Sequence, residues 1–194
     1  MKKLLYIFLA ISIIFSACEE EDAAPANTNN NGNNNSALSI GDTYQGGIIF
    51  YLDGNGGGLI AAPSDQSTGT TWGCYGTIIS GADGIAIGTG SQNTLDIYNT
   101  PCLAANDAAD ICYTLTLGGY NDWFLPSKDE LNLMWLNIGR YSALGNIGGF
   151  IQYQYWSSTE FNNNNAWVQD FEFGGQYNRN KANNSYYVRA IRAF

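Results

Sequence analysis

The sequence predicts an α+β domain behind a short export segment. Three observations carry that class: a capped amphipathic stretch from Ser127 to Gly139, two apolar runs, GIIFYL and LIAAP, split by a glycine-rich turn, and a series of aromatic and β-branched runs from Tyr153 to Phe194. Strands, then helices, then strands on short links fit an α+β arrangement rather than alternating βα units. No internal repeat interrupts this order.

The chain opens with Met1-Lys2-Lys3 and an apolar run from Leu4 to Phe15. About a dozen apolar residues fall short of the ~20 that span a bilayer but suit a secretory signal. Residues 1–17 are therefore expected to be removed before Cys18. Phe15-Ser16-Ala17-Cys18 resembles the bacterial lipobox, which implies lipidation of Cys18; the alternative is an ordinary signal with an incidental cysteine. Several acyl chains on one residue anchor a protein without a spanning helix. Residues 18–37 then read as a linker, acidic from Glu19 to Asp22 and Asn-rich from Asn27 to Asn35. The acidic run resembles the tag that sends Bacteroidetes-type lipoproteins to the cell surface, or is simply a solvated charge run. The expected address is the outer membrane, lipid-anchored and surface-exposed, with the membrane itself a partner through Cys18.

Residues 38–194 are long enough for one core. Asp53-Gly54-Asn55-Gly56-Gly57-Gly58 superficially matches a calcium loop, but its twelfth position is Ser64 rather than glutamate, so a hairpin turn is expected. Gly88-Thr89-Gly90 lacks the lysine and third glycine of a phosphate loop. Thr100-Pro101 reads as an N-cap with proline in the first turn of a helix that runs on through Cys112 to Leu115. On that helix Cys102 and Cys112 stand about 15 Å apart along the axis, beyond disulfide reach. Any bond in the domain then uses Cys74, with Cys102 favoured and Cys112 the alternative. Ser127 and Glu130 have capping-box spacing, and Asp129 shares the first turn, so the acids are read as helix starters rather than a catalytic pair. Four strands are expected after them, at 153–158, 166–173, 176–181 and 186–194, with antiparallel neighbours. Trp167, Gln169, Phe171 and Phe173 are expected on one face. Arg189 and Arg192 point to opposite faces of the last strand, so at least one of them is expected inside the domain, paired with a carboxylate such as Glu130 or Glu160.

Composition removes several chemistries. The sequence has no histidine, which excludes serine-histidine and cysteine-histidine nucleophile systems and imidazole-ligated zinc. Net charge is −9, and −11 once residues 1–17 are removed, which disfavours nucleic acid as a partner. Arg179, Lys181, Arg189 and Arg192 nevertheless crowd the C-terminus and leave room for a local basic patch. No cofactor and no metal site is expected.

The motifs WGCYG, IGTGSQNT, GGYNDWFLPSKDEL, YWSSTE and VRAIRAF, in that order, resemble the family named for the C-terminal domain of the Legionella collagen-like adhesin, across nearly all of Ile40 to Phe194. The resemblance implies a C-type-lectin-like fold, a twisted antiparallel sheet with two main helices and long polar loops. It also implies a non-catalytic binding or adhesion module for glycans or a surface protein. Candidate ligand-binding residues are Glu160, Asn162, Asn163, Asn164, Asn165, Asn178, Asn183, Asn184 and Tyr186, because side-chain amides pair with sugar hydroxyls and aromatic rings stack on sugar faces. The competing view makes these asparagines solvated turn formers. Two other functions are weighed: a structural component of a surface assembly, and an enzyme related by fold to formylglycine-generating enzymes, whose copper-holding cysteines would correspond to some of Cys74, Cys102 and Cys112.

Overall fold

The computed structural model describes residues 37–194, and the expected signal peptide, Cys18 and linker lie outside the described residues. The chain enters through β1 (Thr43–Tyr44), antiparallel to β2 (Gly47–Leu52), which pairs with β3 (Gly58–Ala61) across the expected hairpin. In the turn, Asp53 Oδ1 accepts from the amides of Asn55 at 2.7 Å and Gly57 at 3.0 Å, so the carboxylate closes its own loop. Beyond β4 (Ser67–Thr70) lie α1 (Gly90–Tyr98), α2 (Ala108–Tyr113) and α3 (Lys128–Ile138). The remaining strands are β5 (Gln154–Glu160), β6 (Asn165–Asp170), β7 (Gln176–Asn180), β8 (Tyr186–Val188) and β9 (Ile191–Ala193).

These strands form two sheets, β1-β2-β3-β9 and β4-β8-β5-β6-β7. The single sheet and two main helices of the sequence reading are thus corrected to two sheets and three helices among the described residues. The C-terminal run changes sheets at Arg189 and Ala190 because both are used elsewhere. Arg189 turns inward to Asp65, and the Ala190 amide donates to Gln66 Oε1 at 2.6 Å. β8 does not pair with β7, although only a short link separates them. It lies parallel to β5 and antiparallel to β4.

The helix expected from Pro101 is also corrected. Thr100 Oγ1 donates to the Asp96 carbonyl at 2.8 Å, which finishes α1 instead of capping a new helix. Residues 101–107 then turn, with Asn106 at φ 70°, and Asp107 Oδ2 accepts from the Ala104 amide at 2.8 Å. Helix resumes only at Ala108. Cys102 sits in this turn, bonded to Cys74 with Cα atoms 5.0 Å apart, while Cys112 is a buried free thiol.

The five-stranded sheet separates two apolar clusters. Trp156 opposes Val168, and both join a cluster with Trp72, Ile49 and Trp123. Tyr155 belongs to the other cluster, which α3 supplies with Leu131 and Met134. Trp167 and Gln169 do share a face, but β6 ends at Asp170 and Phe171 to Phe173 form a turn. Asp170 Oδ1 accepts from the amides of Glu172 at 2.8 Å and Phe173 at 3.0 Å, which breaks the strand and leaves Phe173 73% exposed.

Candidate functional site

α3 starts as its sequence prescribes. Ser127 accepts from the Glu130 amide at 3.3 Å, and Glu130 Oε2 accepts from the Ser127 amide at 2.7 Å. Glu130 does more than cap its own helix. Its Oε1 accepts from the Gly88 amide at 2.7 Å, and a Cβ at Gly90 would overlap its Oε2. The glycine pair of IGTG therefore cradles an anion, and that anion is the protein's own carboxylate. Burial raises the Glu130 pKa against the opposing amide bonds.

Glu160 is equally occupied. It receives Lys181 Nζ at 2.5 Å and the Ile79 amide at 3.1 and 3.2 Å, inside the fold and beside Trp72. Lys181 Nζ also donates to the Thr77 carbonyl at 2.9 Å, and burial lowers its pKa. Neither Glu130 nor Glu160 is available to a ligand, which removes Glu160 from the candidate set. The expected partners of the arginines are corrected as well. Arg189 pairs with Asp65 at 2.7 Å and donates to the carbonyls of Ala62 and Gly148, whereas Arg192 pairs with Asp122 and lies over Tyr120. With Lys181, Arg189 and Arg192 each paired with a carboxylate of the domain, no C-terminal basic patch forms among the described residues.

The asparagine candidates divide into separate places. Asn162 Oδ1 accepts from the amides of Asn164 and Asn165, both at 2.9 Å, so it shapes the β5–β6 turn. The carbonyls of Asn163 and Asn164 hold the amides of Gly76 and Lys181. Asn178 and Asn184 are exposed, and Asn183 is engaged with Ser185 and Tyr186. The turn lies at one end of β6, about 16 Å from Asp170 at the other.

At that other end lies a cleft of about 330 Å³ lined by Gln152, Tyr153, Gln154, Asp170, Glu172, Arg179 and Tyr186. Antiparallel register sets Gln154 opposite Asp170, and Gln154 Nε2 approaches Asp170 Oδ2 at 3.4 Å. Arg179 Nε donates to Gln154 Oε1 at 3.0 Å, while the guanidinium lies 4.8 Å from the Tyr177 ring. Tyr153 leaves 44% of its surface to solvent and packs 5.7 Å from Tyr187. Tyr186 forms the buried wall, its hydroxyl accepting from Asn183 at 3.3 Å and its pKa raised by burial. Of the sequence candidates, only Tyr186 lines this cleft. A second cleft of about 480 Å³ between β4 and α2 presents hydroxyls, amides and Asp110 but no aromatic ring. No cluster of three potential metal-ligating side chains occurs among the described residues.

Residues 62–192 match the family described as the Lcl C-terminal domain. The chain belongs to that family. The matched stretch is shorter than the Ile40 to Phe194 span of the sequence resemblance, but it contains all seven cleft residues and both members of the disulfide. β1, β2 and β3 precede it, although β3 pairs with β9 inside the Lcl C-terminal domain, so the first hairpin completes that sheet. No curated protein matches the sequence.

Proposed function

We propose that this Lcl C-terminal domain is a non-catalytic, surface-displayed adhesion module that binds glycans in the Tyr153 cleft. The observation that carries the reading is a half-exposed tyrosine beside planar polar groups, Gln154, Asp170, Glu172 and Arg179, around one 330 Å³ recess. Such a set stacks on a sugar ring and pairs with its hydroxyls. Sugar-binding surfaces on short sheets and long loops fit a C-type-lectin-like assignment of the two-sheet fold. The lipid anchor at Cys18 and an outer-membrane, surface-exposed address complete the proposal; they rest on the short apolar leader and the small residues before the cysteine.

The test is a glycan array probed with the unlipidated chain from Glu19 to Phe194. Binding is expected to fall at least tenfold in Tyr153→Ala, with the unfolding midpoint measured in parallel to exclude loss of fold. A silent array, or binding unchanged by Tyr153→Ala in a folded variant, sinks the reading. For the anchor, fatty-acid labelling of the full chain is expected to vanish in Cys18→Ala, and labelling that persists refutes it.

A further inference from the structure

The charge inventory of the Tyr153 cleft indicates which glycans fit it. Asp170 uses Oδ1 to close the 170–173 turn, leaving Oδ2 with a single contact, Gln154 Nε2 at 3.4 Å, the outer limit of a hydrogen bond. Glu172 carries no side-chain hydrogen bond or ion pair among the described residues. The one cation present is partly engaged. Arg179 holds Gln154 Oε1 and the Asn178 carbonyl and lies over Tyr177, and the two carboxylates of the cleft outnumber it. The recess thus offers two carboxylates in need of donors beside a half-exposed tyrosine ring, and its formal charge is −1.

An ammonium is the group that satisfies both features, because carboxylates and tyrosine rings attract cations while a sulfate or carboxylate there meets like charge. Resting on the glycan-binding reading above, we infer that the cleft selects sugars bearing a free amine, its ammonium between Asp170 and Glu172 and its ring against Tyr153. Gln154 and Arg179 remain at the rim for ring hydroxyls. Sulfated and uronic-acid glycans are excluded by the same charges that recruit the amine.

Short probes separate this from the attraction of any polycation to an acidic protein. Titration calorimetry with the Glu19–Phe194 chain compares a glucosamine trimer, the N-acetylglucosamine trimer, a sulfated trisaccharide and trilysine at one mildly acidic pH and moderate salt. The glucosamine trimer is expected to bind at least tenfold more tightly than its N-acetylated form. Glu172→Gln is expected to bring the two within about threefold, a change of ~0.7 kcal/mol or less between them. Trilysine is expected to compete poorly because it lacks the ring. Equal binding of both trimers, a preference that survives Glu172→Gln, or trilysine binding as tightly as the sugar each overturns the inference. Equal binding abolished by Tyr153→Ala overturns the amine selectivity alone and leaves the glycan module standing. Absence of binding by every sugar overturns the amine inference outright, and a silent broad array alongside it removes the module as well.

Discussion

Replacing Lys181 with methionine tests the energetics that hold the segment from Thr77 to Ile79. Lys181 is fully buried, with its Nζ 2.5 Å from Glu160 Oε1, and Glu160 in turn holds the Ile79 amide. At an effective dielectric of about 20, charges at that separation attract by about 7 kcal/mol, a gain offset in large part by taking both from water. Removal of one partner leaves the other charge stranded, which typically costs about 3 to 5 kcal/mol. Lys181→Met is therefore expected to lower unfolding free energy by that amount in a urea titration followed by tryptophan fluorescence with the disulfide intact. Glu160→Gln combined with Lys181→Met leaves no buried charge, and it is expected to recover a substantial part of the loss. A single-variant cost below about 1 kcal/mol, or a double variant at least as damaged as the single, refutes the account of Lys181 as the counter-charge of a buried carboxylate.

Glu130 yields a prediction of opposite electrostatic sense. Its folded pKa is raised above the ordinary 4.5, so its contribution is complete below 4.5 and is lost as pH rises through the folded value. The stability of the wild type relative to Glu130→Gln is therefore expected to grow as pH falls from neutral toward 4.5, read from urea midpoints across that window. Gly90→Ala places a methyl group against the Glu130 carboxylate and is expected to cost about 1 to 3 kcal/mol in the same titration, whereas the open Gly88, with nothing near its Cβ position, is strained only through its φ of 91°. Thiol counting on the Glu19–Phe194 chain is expected to find one reactive thiol after denaturation without reductant and none in the native state, because burial raises the Cys112 pKa and shields its sulfur. Loss of the Cys74–Cys102 bond in a double serine variant is expected to cost about 3 to 4 kcal/mol for its 28-residue separation, measured by thermal unfolding.

What the sequence disclosed was governed by range. α3 was legible because a capping box is a contact between positions three apart, and the first hairpin because its turn and both apolar runs are contiguous. α1 was hidden by its own packing. Its buried positions are Gly90, Asn93, Thr94 and Ile97, and the polar ones bond across the fold, Asn93 to the Gly84 carbonyl and Thr94 to Leu125, so no apolar period marks the helix. The second role of Glu130 depends on Gly88, 42 positions away, and the arginine partners Asp65 and Asp122 are more distant still. The Tyr153 cleft had one available signal, the register obtained by counting outward from the FNNNN turn. A register shift between Trp156 and Glu160 defeats that count, so Gln154 and Asp170 come opposite one another only in the folded sheet.

The fate of the cations links the fold to the charge of its surface. Of six basic side chains in residues 38–194, Lys181, Arg189 and Arg192 neutralise carboxylates within the domain. Lys128 and Arg140 lie over the rings of Trp167 and Tyr141, and Arg179 lies over Tyr177 while holding Gln154. A sequence that crowds basic residues into its last strands thus leaves no cluster of solvent-facing cations there. Polyanion binding gains its strength from several cations acting along one face. With those charges spent on pinning β7, β8 and β9 to the rest of the fold, the proposed Tyr153 cleft is left with more carboxylate than cation, and on the proposed reading its ligand brings donors or positive charge.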